Sequence, residues 1–313
     1  MYTYIMNLQK QLLRSIKLNR LCLYLALVIY NFSYSQSYTI IDSLSKEPIA
    51  YVNVLMIKDN SGFYSNEQGL FKLSNISLND SISISCLGYK TILEKVKNLK
   101  DTIYLPPKFE QLDDINLSTK KPVIKKVGFK KNKLMWYPEA DFQIGMLLKP
   151  AKNEKAFVNK ITIRTNKSLS FYYKEHKKTP NYNSIIKLML FSIKDNLPNK
   201  PLLTKPIIIN CSEKSDKNIE VDLSEEFIIY DVEGLFIAVE MVGELDTNGN
   251  VIVKKVNRPG LVFSNIPSDD FSLAKLFAKP KSTEKWVLLD AKKMHEKRDF
   301  LLALELELTL YNE

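Results

Sequence analysis

The stretch SISISCLGYK, residues 81–90, alternates three serines with Ile82, Ile84 and Cys86 before a Gly-Tyr step. Successive side chains of an extended chain point to opposite faces. Ile82, Ile84 and Cys86 therefore share one face, and Ser81, Ser83 and Ser85 share the other. That pattern predicts a half-buried strand in which Cys86 acts as a small core group, a reading preferred to a reactive thiol. Gly88 supplies the backbone freedom for a tight corner. Tyr89 opens the next strand with a large ring and a hydroxyl able to reach a partner.

The same rhythm runs outward in both directions. YTIID (38–42), IAYVNVLMI (49–57), Phe63-Tyr64, LFKLS (70–74), YKTILEKV (89–96) and DTIYL (101–105) all read as strands. In 49–57, Val52, Val54 and Met56 face opposite to Tyr51, Asn53 and Leu55. KDNSG (58–62) and NEQG (66–69) carry turn residues. About seven short strands with turn signals every 8–12 positions predict an antiparallel β-sandwich.

IIDSLSKEPIAYVNV (40–54), GFYSNEQGLFKL (62–73), DSISISCLGYK (80–90) and IYL (103–105) together resemble the carboxypeptidase-like regulatory domain. The matching positions are Asp42, Pro48, Val52, Val54, Gly62, Asn66, Gly69, Phe71, Ile84, Ser85, Gly88 and Tyr89. Ser37-Tyr38 stands where the family usually opens its first strand with glycine. The resemblance implies a small, seven-stranded, transthyretin-like sandwich over residues 37–107. This module also fronts TonB-dependent outer-membrane receptors and many exported bacterial proteins. It implies no catalysis, because in metallocarboxypeptidases the module is an appendage to the zinc-bearing enzyme domain, and nothing in this chain resembles that enzyme domain.

Residues 1–35 read as an export signal. Lys10, Arg14, Lys17 and Arg20 precede the apolar run LCLYLALVIY (21–30), and Ser33-Tyr34-Ser35 predicts cleavage before Gln36. The run is shorter than the roughly 20 residues a membrane-spanning helix needs. An uncleaved anchor is the alternative. Cys22 opens the apolar run and so is not a lipid-attachment cysteine. Cleavage removes four of the 45 basic residues and none of the 35 acidic ones, so the net charge falls from +10 to +6. Export makes nucleic acid an unsuitable partner for that surplus and favours an anionic envelope surface. The two remaining cysteines, Cys86 and Cys211, fall in separate predicted domains, which argues against a bridge between them.

Residues 108–138 read as a basic linker. Lys120, Lys121, Lys125, Lys126, Lys130, Lys131 and Lys133 repel one another and favour a solvated segment. The alternative is a patch that grips anionic lipid or glycan. A second β-pattern fills 139–313. Ile161 and Ile163 alternate with Thr162 and Arg164, and Ile219, Val221 and Leu223 share a face. DNLPNKPLL (195–203) reads as a proline-punctuated loop. GLFIAVEMVGEL (234–245) is nearly continuous, as a strand covered on both faces would be. FLLALELELTLYN (300–312) places Phe300, Leu302, Leu304, Leu306, Leu308 and Leu310 at period two. Roughly eight to ten strands predict a larger, jelly-roll-like sandwich, giving an all-β chain. KLMLFSIKDNLPNKPLL, IEVDLSEEFII and GLFIAVEMVGE also resemble the tails of exported envelope proteins carrying the same front module. That second likeness implies architecture alone.

Little here carries chemistry. His176 and His295 sit in lysine-rich loops and read as solvated. DTNGN (246–250) spaces Asp246, Asn248 and Asn250 like a calcium loop. Its glycine falls one position early, and Asn257 stands where a bidentate glutamate belongs, so a hairpin turn is preferred. Glu305 and Glu307 read as a solvated strand face. Glu240, in an apolar strand, must pair with a Lys or Arg or belong to a site, and a structural pair is preferred. Trp136 and Tyr137, with Phe171, Tyr172 and Tyr173, suit either sugar stacking or packing. No catalytic, cofactor-binding or metal-ligating residue is assigned, and no cofactor is expected. The sequence predicts a non-catalytic exported protein, periplasmic or associated with the outer membrane. It would bind or assemble with an envelope protein, a glycan or an anionic outer-membrane surface, and not with nucleic acid. A hydrolase using a carboxylate pair on the C-terminal sandwich is one alternative. An outer-membrane-associated accessory or small barrel is the other.

Overall fold

A computed structural model describes residues 36–73, 76–108, 122–130, 134–140, 142–166, 182–215, 217–252, 258–266, 268–280, 283, 285–289 and 300–310. The expected export signal, Cys22, both histidines, Asn257 and the aromatics at 171–173 lie outside the described residues. The described part is almost entirely β-structure, with a single 3-10 turn at Val96–Asn98.

Seven strands form the front domain: β1 (Gln36–Asp42), β2 (Asn53–Met56), β3 (Gly62–Tyr64), β4 (Leu70–Leu73), β5 (Ser81–Ser85), β6 (Ile92–Lys95) and β7 (Thr102–Leu105). They make two sheets, ordered β4-β1-β7 and β3-β2-β5-β6. Tyr38 and Ile40 from one sheet meet Val52, Val54, Ile82 and Ile84 from the other in one buried cluster, and half-buried Cys86 packs against it. The apolar face read from 81–86 is thus the inner face of the sandwich. Tyr89 does not open the next strand, which begins at Ile92; it lies in an isolated bridge with Pro107 and donates its hydroxyl to Asp42 at 3.0 Å, tying the corner to the first turn.

The strand expected over 49–57 begins only at Asn53. Pro48 and Ile49 pair instead with β1, through an Ile41–Pro48 bridge and an Ile49 N–H to Ile40 carbonyl bond. Tyr51 takes a φ of +53°, a region costly for a bulky residue. The chain kinks there as it passes from one sheet to the other.

The second domain starts earlier than the expected boundary. Val123–Gly128 is a strand, β8, and Leu134–Trp136 is another, β9. Residues 108–138 are therefore not a free linker throughout. β8 pairs along the C-terminal strand, and two lysines of the run find acidic partners: Lys126 reaches Glu307 of that strand at 3.4 Å, and Lys125 reaches Glu154 at 3.4 Å. Those carboxylates offset the repulsion that argued for solvation.

β10 (Gln143–Pro150), β11 (Ala156–Asn166), β12 (Asn183–Lys194), β13 (Leu197–Pro201), β14 (Ile207–Ser212) and β15 (Asn218–Asp222) follow. Then come β16 (Ile229–Tyr230), β17 (Leu235–Leu245), β18 (Val251–Ile252) and β19 (Gly260–Ser264). β20 (Phe271–Lys279), β21 (Val287–Leu288), β22 (Leu301–Leu302) and β23 (Leu304–Leu310) complete the chain. The tally exceeds the expected eight to ten because several members are two- or three-residue edge pieces. The expected loop at 195–203 contains β13, a hairpin partner of β12 whose Pro198 and Pro201 sit on a sheet edge, where a missing N–H is tolerated.

Two open sheets result. One runs β13-β12-β17-β10-β20-β21 and the other β22-β19-β11-β23-β8. The chain changes sheet at most of its long connections, as in jelly-roll winding. Their inner faces share one core that includes Met146, Ile161, Leu188, Ile237, Leu304 and Leu306. The described strands divide into two layers with edges and do not form the small barrel that was the alternative reading. The outward face of β11 and β23 carries Arg164, Glu305 and Glu307 with Lys126 of β8, an ion-pair lattice and not a lipid-facing band.

The β13-to-β21 sheet is buried on its outer side as well. Every residue of β17 but the last is buried. Phe236, with Leu147, Met189 and Phe277, forms a second cluster that Leu87 and Trp286 flank. Ile185 and Val242 form a third with Tyr51 and Tyr64. The covering expected for 234–245 is therefore supplied in part by the front domain.

Candidate functional site

Among the described residues, two of the places that concentrate polar groups bear on function. The first lies where the front domain meets β12 and β17. Antiparallel register sets Lys187 directly opposite Glu240, both pointing away from the inner core. Lys187 is 3% exposed and Glu240 5%. Their charged atoms lie 3.8 Å apart. The front domain completes the set. Tyr64 donates its hydroxyl to Glu240, and the Lys187 ammonium donates to the Tyr51 carbonyl at 2.7 Å. The ammonium also stands 4.6 Å from the centre of the Tyr64 ring. Cys86 lies within the field of this pair, and burial pushes its thiol up, keeping it protonated. Glu240 thus has the cationic partner its apolar strand demanded, together with a tyrosine from the other domain. Each charge has its opposite and a hydrogen-bonded partner from the front domain, so the arrangement neutralises charge and fixes orientation.

The second place is a cleft of about 610 Å³ at one end of the β22-to-β8 sheet. Lys126, Lys130, Arg164 and Lys217 line it against Asp270 and Glu305. The acids are held by the protein. Glu305 takes Arg164 at 3.4 Å and Lys126 at 3.8 Å. Asp270 accepts the Gly128 N–H at 3.1 Å and the Ser268 hydroxyl at 3.0 Å. Glu305 and Glu307 are thus on an ion-paired, partly exposed strand face, where the sequence reading had a solvated one. The cleft itself was not foreseen. Lys126 looked like linker and Arg164 like an ordinary outward residue, and only register joins them.

The remaining candidates resolve locally. Asp246 accepts the N–H groups of Asn248 and Asn250, and the Asn250 amide, within the hairpin between β17 and β18. Its carboxylate serves the turn. Trp136 packs edge-on to Phe142 at 5.0 Å, and the Tyr137 ring lies against Gly260, so both fill space. Cys86 and Cys211 are not joined in a disulfide.

Turn carboxylates of this kind make stability pH-dependent. Asp246 is held below its usual value by the Asn250 amide, Asp42 by the Leu44 N–H, Asp59 by the Ser61 hydroxyl and Asp222 by the Ser224 N–H. Each is depressed in the folded state, so its contribution is complete above the unfolded carboxylate range and is lost as pH falls through the folded value. Urea midpoints are expected to be level in these terms from about pH 7 to about pH 5, then to drop steadily below about pH 4. A midpoint rising on acidification would contradict this assignment.

Comparison with family models matches residues 38–118 to the CarboxypepD_reg-like domain. No curated protein and no solved structure matches the chain. The front sandwich is a domain of that regulatory, non-catalytic kind.

Proposed function

We propose that this chain is a non-catalytic exported protein that acts by binding, with its front module docked as a structural part of a larger binding sandwich. The docked interface carries the reading. Lys187 and Glu240, a buried charge pair on two of the long strands, are engaged by Tyr51 and Tyr64 of the front domain, so the module is bolted on and not offered to a partner on that side. The outward face of the other sheet stays open and charged, and it holds the 610 Å³ cleft. The regulatory, non-catalytic character of the front domain supports the same view. Its place is the periplasm or the outer-membrane surface, reached through the signal-like residues 1–35.

The test expresses a C-terminally tagged full chain in a Gram-negative host, fractionates the cells and sequences the N-terminus. The tagged protein is expected in the envelope fraction, starting at Gln36. Recovery of intact chain from the cytosol would overturn export. The purified protein is then offered to envelope extracts and to a glycan array. Silence from both would overturn binding, and hydrolysis of an arrayed glycan would overturn the non-catalytic part.

A further inference from the structure

We propose that the cleft beside Arg164 is a binding groove for an anionic glycan, a sugar chain bearing carboxylate, sulfate or phosphate. This deepens the binding reading above and rests on it.

Charge comes first. Four cations line the cleft against two carboxylates, and both carboxylates are engaged by the protein. Lys126 is shared between Glu305 and Glu307. Lys130 and Lys217 have no carboxylate partner among the described residues, and they supply the surplus. Arg164 is held in place: its guanidinium is braced by Glu305 on one side, and on the other by Asn218, whose amide is turned so that its oxygen accepts at 3.0 Å. A guanidinium fixed by two groups keeps further N–H donors in a set direction, which suits a planar or tetrahedral oxyanion.

Shape and polarity come next. A smaller cleft of about 210 Å³ meets the first at Thr165 and Asn218, which line both. Together they form a groove of mixed polar and apolar lining, longer than a single anion needs. Asn210 and Ser215 add amide and hydroxyl groups to the second part. Tyr182 also lines it. That residue is 5% exposed, and its hydroxyl has no hydrogen-bond partner among the described residues. Burial pushes its ionisation up to about 12, so it remains a neutral hydroxyl able both to donate and to accept. An unmet buried hydroxyl costs stability, and a ligand hydroxyl or a bridging water would satisfy it. Cations line one end; at the other, hydroxyl and amide groups stand beside Glu220, whose charge Lys160 takes at 3.6 Å, and the two ends fit an anionic sugar followed by neutral sugar positions. An apolar ligand would leave most of these groups without partners.

The test uses the full purified chain on an array carrying uronate-bearing, sulfated, phosphorylated and neutral oligosaccharides, read at low and at physiological salt. Anionic glycans are expected to bind, the neutral ones to bind at least tenfold more weakly, and added salt to weaken the signal. K130E/K217E is expected to lower binding at least tenfold while leaving the melting temperature within a degree or two, since neither lysine has a carboxylate partner among the described residues. Tyr182→Phe, which keeps the ring, is expected to lower binding severalfold for chains of two sugars or more. Equal binding of neutral and anionic glycans, unchanged binding by K130E/K217E, or a silent array would overturn the groove. An envelope protein captured alongside a silent array would leave the broader binding reading standing and remove this one alone.

Discussion

Glu240→Ala is expected to destabilise the chain by about 3–5 kcal/mol, and Lys187→Ala by a similar amount. Each variant strands its partner's charge in a site only a few percent exposed. Removing Glu240 also leaves the Tyr64 hydroxyl without its acceptor, and removing Lys187 takes the donor from the Tyr51 carbonyl. Tyr64→Phe takes away one donor and no charge, so it should cost less, about 1–3 kcal/mol. The informative variant is the double replacement K187M/E240L. A buried ion pair exchanged for apolar groups of similar volume is often close to neutral, so the double variant should recover much of either single loss. The unrecovered remainder measures the Tyr51 and Tyr64 groups left facing apolar side chains. Urea unfolding of the four variants, followed by circular dichroism and by tryptophan fluorescence, gives these differences. Single losses below about 1 kcal/mol would mean that the pair is solvated and the interface not closed.

How much of this was readable beforehand depends on the length scale of each feature. The alternation of Ile82 and Ile84 with serines is local, and the strand follows from it directly. The oddness of Glu240 in an apolar run was equally visible. Its partner was not, because Lys187 lies on another strand and only the β12–β17 register sets the two face to face. The nearly continuous apolar character of 234–245 announced a strand covered on both sides. The cover could not be read, since it comes from Tyr51, Tyr64 and Leu87, residues at a kink, a strand end and a corner of the front domain. The lysine run misled for a related reason: composition reports repulsion within the segment but not the glutamates of β23 that lie alongside it. The cleft was hidden most completely. Lys126, Arg164, Lys217 and Asp270 come from four separate stretches of the chain, and none is unusual in its own neighbourhood.

Gly88→Ala is expected to separate the two domains or to cost the whole fold several kcal/mol, and Gly249→Ala provides its control. The two glycines have nearly the same backbone, with φ of +82° and +80°. A side chain in that region costs about 1–2 kcal/mol in either place. Their surroundings differ. A Cβ at Gly249 would meet nothing within 4 Å, whereas at Gly88 it would lie 1.7 Å from the Thr204 carbonyl oxygen in the second domain. The obstacle is backbone, so no rotamer change relieves it, and either the corner at 86–89 or the whole docked surface must move. Gly249→Ala should therefore show only the conformational penalty. Gly88→Ala should exceed it by several kcal/mol, or should keep both sandwiches folded while the radius of gyration measured by X-ray scattering increases. In that second outcome Lys187 and Glu240 are already exposed to water, so adding Glu240→Ala to Gly88→Ala should cost far less than it does alone. Equal losses for the two alanine variants, with Glu240→Ala fully additive to Gly88→Ala, would mean that the corner carries no interdomain contact, and the docked arrangement would have to be abandoned.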